Sequence, residues 1–226
     1  KTLKAFGVTV KETESGWSIP GGQKYHGPRM RYAEGDWSNA AFWLVAGAIG
    51  GSIGCQGLDM ESPQGDRAIA ALLEEFGAET KVALNQITAT HKEMKGIRID
   101  ASQIPDLVPI LCVAAAAAEG KTEIYNAGRL RMKESDRLAV MAECMQKIGV
   151  EVEERPDSII ITGGCNPPEG EIVIDSHNDH RIVMAMAIAA VSLGVELTIL
   201  GAEAVNKSYP SFFIELAKLG GVTNVL

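Results

Sequence analysis

The sequence repeats one structural pattern at a regular interval of roughly 70 residues. A helix-like segment that ends in glycine and runs into β-prone residues occurs four times, at Gly7, Gly77, Gly149 and Gly220. Glycine directly after a helix is typical of the left-handed C′ position. A repeat of this period predicts an architecture of similar supersecondary units that stack on a shared core.

A second series of features runs in phase with the first. Three alanine-rich segments each begin near an aspartate, at Asp36, Asp106 and Asp179, and nearly the same interval separates them. Aspartate at a helix start accepts hydrogen bonds from unpaired backbone N–H groups and suits the helix dipole. We therefore expect three parallel helices with their N-termini on one face, where anions are attracted.

The middle unit predicts the element order βαβαββ. Its strands and helices are expected at 96–100, 105–118, 122–125, 136–148, 150–153 and 158–162. The fold class is accordingly α/β (α+β), with repeated units at approximately 27–95, 96–165 and 166–226, the last of them incomplete. Residues 1–26 are interpreted as a helix end plus a hairpin, the tail of the last unit of a preceding lobe.

Composition argues against several classes of protein. The 226 residues carry a net charge of −8, whereas general nucleic-acid binders are usually basic. The four cysteines form no C-x-x-C pair, so zinc-site spacing is absent. Cys112 and Cys144 lie in apolar helical patterns, which favours reduced core residues and a cytoplasmic location. The longest apolar run, 108–118, is too short to span a bilayer. No phosphate-binding glycine fingerprint indicates a nucleotide cofactor.

The segment GRLRMKESDR, at 128–137, concentrates cations in an acidic chain. Arg129, Arg131, Lys133 and Arg137 lie close together in it, beside Glu134. Such a cluster favours a specific anionic ligand. The alternative is a solvated loop with local ion pairs.

A second polar cluster, at 176–181, begins an otherwise apolar helix. His180 and Arg181 oppose the helix dipole at this end, and a bound anion would compensate for them. A metal site built from His177, Asp179 and His180 is the weaker alternative, because no further cluster of ligands accompanies them.

The third candidate is Lys207, which taken alone would be interpreted as an ordinary surface lysine. The repeat interval separates it from Arg137, and the same interval separates Arg137 from Arg67. Three cations at equivalent repeat positions predict a ring around a pseudo-threefold axis. Asp106 is either a helix N-cap or a general base near this anion-binding pocket, with Glu134 as its partner in acid–base chemistry.

These residues lie in segments that resemble the EPSP synthase (3-phosphoshikimate 1-carboxyvinyltransferase) family. RMKESDRLAV is similar to that family's L-R-x-K-E-S/T-D-R signature, and NDHRIVMAMAIA is similar to its N-D-H-R-M-A-M segment. AEGDWSNAAFWL, SQIPDLVPIL and NKSYPSFF match further family segments in the right order. The resemblance covers nearly the whole chain and corresponds to roughly the second half of the enzyme, its C-terminal lobe.

The resemblance implies a fold and a reaction. The family has two lobes, each of three βαβαββ units around a pseudo-threefold axis in an inside-out barrel, and the active site closes between the lobes. The enzyme moves the enolpyruvyl group of phosphoenolpyruvate to the 5-hydroxyl of shikimate 3-phosphate and releases phosphate. The resemblance implies no metal and no cofactor, and no nucleic acid or membrane partner.

The resemblance also implies roles for individual residues. Asp106 matches the aspartate that contacts the shikimate hydroxyls and accepts a proton, and Glu134 matches the glutamate proposed to protonate the phosphoenolpyruvate methylene. Lys133 matches the lysine that bridges to substrate. A departure occurs at Arg129, where some members have a shikimate-binding asparagine.

The remaining matches concern anion binding. Arg137, Arg181 and Lys207 match cations that hold phosphoenolpyruvate, where the competitor glyphosate also binds, and His180 matches a histidine nearby. Because the first lobe carries most contacts to shikimate 3-phosphate, this chain alone is expected to be inactive. The alternatives are a lobe of the sister transferase that acts on UDP-N-acetylglucosamine and a non-catalytic anion-binding module of the same fold.

Overall fold

A computed structural model describes residues 2–27, 33–84 and 86–224. The chain divides into a small unit, Lys1–Glu34, and a large unit, Gly35–Leu226. In the small unit a short helix, α1 (Thr2–Ala5), precedes an antiparallel hairpin of β1 (Lys11–Thr13) and β2 (Gly16–Ser18). The predicted helix end and hairpin are therefore confirmed.

The first repeat of the large unit contains two helices and three strands. They are α2 (Trp37–Gly50), β3 (Ser52–Gln56), α3 (Ile69–Phe76), β4 (Glu79–Ala83) and β5 (Gln86–Thr90). The three strands form an antiparallel sheet in the order β3-β5-β4. Residues 28–32, which precede α2, lie outside the described residues.

The middle repeat confirms the predicted order βαβαββ. Its elements are β6 (Arg98–Asp100), α4 (Val108–Ala117), β7 (Lys121–Tyr125), α5 (Arg137–Lys147), β8 (Glu151–Arg155) and β9 (Ser158–Thr162). The sheet order is β6-β7-β9-β8, in which β6 pairs parallel with β7 and the other neighbours are antiparallel. The helix predicted to start at 105 instead begins with a 3₁₀ turn, Pro105–Leu107.

The third repeat has the same order over its first four elements. They are β10 (Val173–Asp175), α6 (His180–Leu193), β11 (Thr198–Leu200) and α7 (Phe212–Lys218). β10 and β11 pair parallel, as β6 and β7 do in the middle repeat. A 3₁₀ helix, Ala202–Lys207, separates β11 from α7.

The three alanine-rich helices α2, α4 and α6 pack against one another in the core. They are apolar on all sides, and in α4 every residue from 108 to 116 is buried. Helices that are hydrophobic all round belong in a protein interior, and alanine allows close approach between their axes. Among the described residues, no helix is long and apolar enough to cross a membrane.

Candidate active site

The helices α4 and α6 begin on the same side of the core. Nη2 of Arg181, in the first turn of α6, lies 3.3 Å from Oδ2 of Asp106, in the 3₁₀ turn before α4. Two of the three in-phase aspartates are helix caps, because Asp36 accepts hydrogen bonds from Ser38 N and Asn39 N, and Asp179 from Arg181 N.

Asp106 is the exception among the three aspartates, so its interpretation as an N-cap is wrong. Pro105 and Asp106 form a 3₁₀ turn whose N-cap is Ile104. The Asp106 carboxylate instead accepts hydrogen bonds from Lys133 Nζ at 3.2 Å and Arg137 Nη1 at 2.7 Å. Its charge faces three cations, counting Arg181, rather than backbone N–H groups. The structure therefore contradicts the N-cap interpretation, and the role of Asp106 as a general base stays a prediction.

Arg137 is the centre of the network. Its side chain is only 1% exposed and donates to three carboxylates. Nη1 reaches Asp106 at 2.7 Å, Nη2 reaches Glu134 Oε2 at 2.6 Å, and Nε reaches Asp179 Oδ2 at 2.8 Å. Asp106 and Glu134, the two carboxylates that the sequence suggests as acid–base partners, therefore meet at one guanidinium.

Asp179 supports Arg137 from the buried side. Its carboxylate is 0% exposed and also accepts a hydrogen bond from Ser135 Oγ at 3.0 Å. Burial alone would raise the pKa of Asp179, but the hydrogen bond and charge of Arg137 outweigh it and lower that pKa. The sequence indicated Asp179 as a helix start and as a weaker candidate metal ligand, and it assigned no role to Ser135. Helix capping is local, whereas the contact with Arg137 joins two different repeats.

The cations hold Asp106 in its ionised form. Burial by itself would raise the pKa of Asp106, but the charges of Arg181, Lys133 and Arg137 outweigh burial and lower the pKa below its usual range. A carboxylate surrounded by cations is easily kept charged near neutral pH. Glu134 is the more accessible carboxylate, with a side chain that is 44% exposed.

His180 and Lys207 lie at the same helix start. The His180 ring is buried beside Asp179, with Nδ1 at 4.0 Å from Oδ1. Burial lowers the pKa of His180, and the neighbouring Arg181 lowers it further. Lys207 donates a hydrogen bond to the carbonyl oxygen of Asn178, one residue before the N-cap of α6.

Two buried side-chain nitrogens at this helix start, His180 Nδ1 and Arg181 Nη1, have no hydrogen-bond partner among the described residues. A buried guanidinium nitrogen without an acceptor is costly, because its desolvation is not compensated. An anion placed at the N-terminus of α6 would accept from this group and suit the helix dipole.

A polar cleft of about 340 Å³ adjoins Asp106. Its lining includes Ser102, Gln103 and Arg129 from the middle repeat, and Asp66 from the first. Burial raises the pKa of Asp66, although a hydrogen bond from Ser38 opposes this effect. Arg129 is exposed on this cleft, so it occupies a position from which it can meet an incoming anion.

Not every cation of the first cluster is available for an anion. Arg131 pairs with Asp136 at 2.9 Å and Glu154 at 2.8 Å, and it donates to the carbonyl oxygens of Arg155 and Pro156. For Arg131 the interpretation as a local ion pair is therefore the correct one. Its contacts join the 3₁₀ helix Gly128–Met132 to the β8–β9 turn and so fix the segment that presents Lys133 and Glu134.

The three cations at equivalent repeat positions have different surroundings. Arg137 is buried among carboxylates, whereas Arg67 is exposed and donates to the carbonyl oxygen of Met60. Lys207 is exposed and bound to Asn178. The structure gives no support to an equivalent ring. Nor do the described residues contain a group of three or more His, Cys, Asp or Glu side chains able to hold a metal ion.

Comparison with known proteins identifies one family. The family model of EPSP synthase (3-phosphoshikimate 1-carboxyvinyltransferase) matches residues 1–216. A 3-phosphoshikimate 1-carboxyvinyltransferase of Clostridium acetobutylicum is 46% identical over 222 residues, which cover 97% of this chain and 50% of that relative. The chain therefore spans about half the length of the curated relatives it matches.

Solved structures agree with the sequence comparison. An EPSP synthase of Acinetobacter baumannii superposes with a TM-score of 0.78 at 33% identity, covering 98% of this chain and 53% of that one. The enolpyruvyl transferase NikO of Streptomyces tendae superposes with a TM-score of 0.75 at 19% identity, covering 97% of this chain and 52% of that one. The second likeness concerns the fold alone.

Proposed function

The chain belongs to the EPSP synthase family, and on that basis we propose that it is the C-terminal lobe of a 3-phosphoshikimate 1-carboxyvinyltransferase. The complete enzyme transfers the enolpyruvyl group of phosphoenolpyruvate to the 5-hydroxyl of shikimate 3-phosphate and releases phosphate. In this proposal residues 27–226 form the lobe and residues 1–26 are the tail of the first lobe. The buried free cysteines Cys112 and Cys144 support action in the cytoplasm.

The observation that carries this proposal is the pair of carboxylates on Arg137. Enolpyruvyl transfer requires one group that gives a proton to the donor's methylene carbon and one that takes a proton from the acceptor's hydroxyl. Glu134 and Asp106 bind adjacent nitrogens of one guanidinium, at 2.6 and 2.7 Å. Two acid–base groups held at guanidinium spacing can serve the two proton transfers that accompany formation of one C–O bond: one to C3 of the donor and one from the acceptor's hydroxyl.

The proposed reaction is an addition followed by an elimination. Glu134 protonates C3 of phosphoenolpyruvate while the 5-hydroxyl oxygen attacks C2 and gives its proton to Asp106. The tetrahedral intermediate then loses phosphate as its C2–O bond breaks. The Glu134 carboxylate takes a proton back from the methyl group to form the enol ether, and protonated Asp106 returns its proton to the departing phosphate. Both substrates are multiply anionic, so the cations around Asp106 stabilise the bound state and the charge that develops on phosphate.

The cations also regulate the strength of the base. Arg181, Lys133 and Arg137 keep the pKa of Asp106 low against the effect of burial. A low pKa makes a carboxylate a weak base. When the carboxylate and phosphate groups of the substrates bind these cations, their effect on Asp106 is partly neutralised. Substrate binding therefore raises the pKa of Asp106 and makes it a better proton acceptor.

The donor would bind where α6 begins. Arg181 supplies the buried unpaired Nη1, Lys207 supplies an exposed ammonium group, and the helix N-terminus adds its dipole. Arginine suits bidentate capture of a carboxylate or phosphate. His180 lies beside this position. We propose that glyphosate, which carries a carboxylate and a phosphonate, competes there with phosphoenolpyruvate.

A phosphate-release assay on the complete protein tests this function. The wild-type protein should release phosphate from phosphoenolpyruvate with shikimate 3-phosphate as acceptor, and not with UDP-N-acetylglucosamine. Glu134→Gln should lower kcat about 10²- to 10⁴-fold because it removes the proton donor. Glu143→Gln is the matched control, since Glu143 pairs with Lys147 on the surface of α5. Release with the nucleotide sugar alone would overturn the proposal.

A further inference from the structure

We propose that Asp179 is a positioning residue for the transfer reaction. It fixes the plane of the Arg137 guanidinium and, through it, the positions of Asp106 and Glu134. The inference rests on the proposed function. The inference extends that function by one residue, because Asp179 contacts neither of the two reacting carboxylates and, in our proposal, no substrate.

The contact between Asp179 and Arg137 is two-pronged. Nε of Arg137 donates to Oδ2 of Asp179 at 2.8 Å, and Nη2 donates to Oδ1 at 3.2 Å. A carboxylate that binds the Nε edge of a guanidinium in this way defines the plane of the group. Both side chains are almost completely buried, at 1% and 0% exposure, so water does not compete for these bonds.

The opposite side of the same guanidinium meets the acid–base pair. Nη1 donates to Asp106, and Nη2 donates to Glu134 as well as to Asp179. Rotation of the guanidinium about Cδ–Nε would move both contacts together. The two bonds from Arg137 to Asp179 oppose this rotation, so they fix where the guanidinium holds the two carboxylates.

Asp179 is itself fixed by two other groups. Ser135 Oγ donates to Oδ2 at 3.0 Å, and Arg181 N donates to Oδ1 at 2.9 Å. The first contact ties Asp179 to the segment that carries Glu134, and the second ties it to the first turn of α6. The orientation of α6 is thereby transmitted to Arg137 at the start of α5.

Capping alone does not explain the arrangement. Asp36 holds the equivalent repeat position and caps α2 with bonds from Ser38 N and Asn39 N. Its carboxylate contacts no arginine among the described residues. Among the described residues, the cap of α2 therefore forms without a guanidinium partner. The pairing of Asp179 with Arg137 is additional to what capping requires.

The test compares Asp179→Asn with Asp36→Asn in the complete protein that contains this chain. Asparagine is as good a cap as aspartate, so both variants keep their helix starts. Asp179→Asn should lower kcat/KM for phosphate release about 100-fold, because the reacting groups lose their alignment. Both kcat and the KM for phosphoenolpyruvate should change, since Arg137 serves the carboxylates and the donor. Asp36→Asn should match the wild type.

A double-mutant cycle separates positioning from general destabilisation. Once Arg137→Gln is present, adding Asp179→Asn should lower kcat/KM little further, because the positioned group is already gone. Equal, additive losses would overturn the inference. If Asp179→Asn does not fold, Ser135→Ala decides: it should lower kcat about tenfold in protein that is still folded at the assay temperature, and an unchanged kcat overturns the inference.

The outcomes distinguish the two proposals. If the wild-type protein releases no phosphate with either acceptor, the proposed function fails and Asp179 is not at issue. If the wild type is active and Asp179→Asn behaves like Asp36→Asn, the function stands and the positioning role is wrong.

Discussion

At the scale of single residues, the site depends on buried charge. Arg137 and Asp179 are removed from water and are stable only because each compensates the other and both make further hydrogen bonds. Removing one member of such a pair usually costs more than the pair contributes, since the other charge stays buried alone. The segments that carry these residues therefore function as one unit.

Asp106 provides the first residue-scale prediction. Asp106→Asn should lower kcat/KM for phosphate release by about 10²- to 10⁴-fold in the complete protein, because asparagine cannot accept the hydroxyl proton. Asp100→Asn is a suitable control: Asp100 lies in the same repeat and accepts a hydrogen bond from Ser102 N, which asparagine also accepts. An Asp106→Asn protein with wild-type kcat/KM would contradict the assigned role.

His180 predicts a pH dependence of stability. Burial, followed by the charge of Arg181, lowers its folded-state pKa, whereas in the unfolded chain the imidazole has a pKa of about 6.5. Below that pH the unfolded state takes up a proton that the folded state does not. The stability that neutral His180 contributes is therefore fully present above about pH 6.5 and is lost as the pH falls towards the folded-state pKa.

Urea titrations of this chain at about pH 7.5 and about pH 5.5 measure the effect. The wild type should lose more free energy of unfolding between the two pH values than His180→Gln does. His177→Asn should keep the wild-type difference, because His177 is exposed and its left-handed backbone, with φ of 49°, suits asparagine. A His180→Gln protein with the full wild-type difference would show that the predicted linkage is absent.

At the scale of elements, the repeat predicts the local secondary structure but not which side chains contact one another. The helix expected at 136–148 is observed at Arg137–Lys147, and the strand pair expected at 150–153 and 158–162 is observed as β8 and β9. Capping, glycine stops and hydrophobic periodicity are local, so sequence reveals them. The 3₁₀ turn at Pro105 and the bonds of Arg131 and Arg137 depend on side chains that meet only in the folded chain.

Two glycines of the repeat should respond differently to substitution. Gly149 and Gly220 both have positive φ, 81° and 97°. An added Cβ at Gly149 would overlap the carbonyl oxygen of Asn166, whereas at Gly220 no described atom lies within 4 Å. Gly220→Ala should cost about 1–2 kcal/mol for the left-handed backbone alone, and Gly149→Ala clearly more. Urea midpoints of the two variants measure this, and equal midpoints would contradict the packing described.

At the scale of the whole molecule, a pseudo-symmetric scaffold carries an asymmetric site. The three in-phase aspartates begin equivalent segments, yet Asp106 does not cap its helix and faces cations instead. Among the described residues, Asp179 is the one of the three that combines capping with a bond to an arginine. Equivalent position predicts equivalent backbone, while function depends on side chains that differ between repeats. For this reason the expected cation ring of Arg67, Arg137 and Lys207 finds no support although its spacing is regular.

The chain also spans only about half the length of its curated relatives. In the proposed function this lobe supplies an acid–base pair and donor-binding cations, and the other lobe supplies most contacts with the acceptor. Catalysis then requires both lobes, because the reacting groups must be enclosed together and shielded from water.

Phosphate release from phosphoenolpyruvate and shikimate 3-phosphate by separated lobes tests this claim most directly. The assay uses this chain alone, the first lobe of the same protein alone, and their mixture, after association of the folded lobes has been shown by sedimentation. We predict no release by either lobe, release by the mixture, and loss of that release when the mixture contains Glu134→Gln. Turnover by this chain alone, or an inactive mixture of associated lobes, would contradict the account.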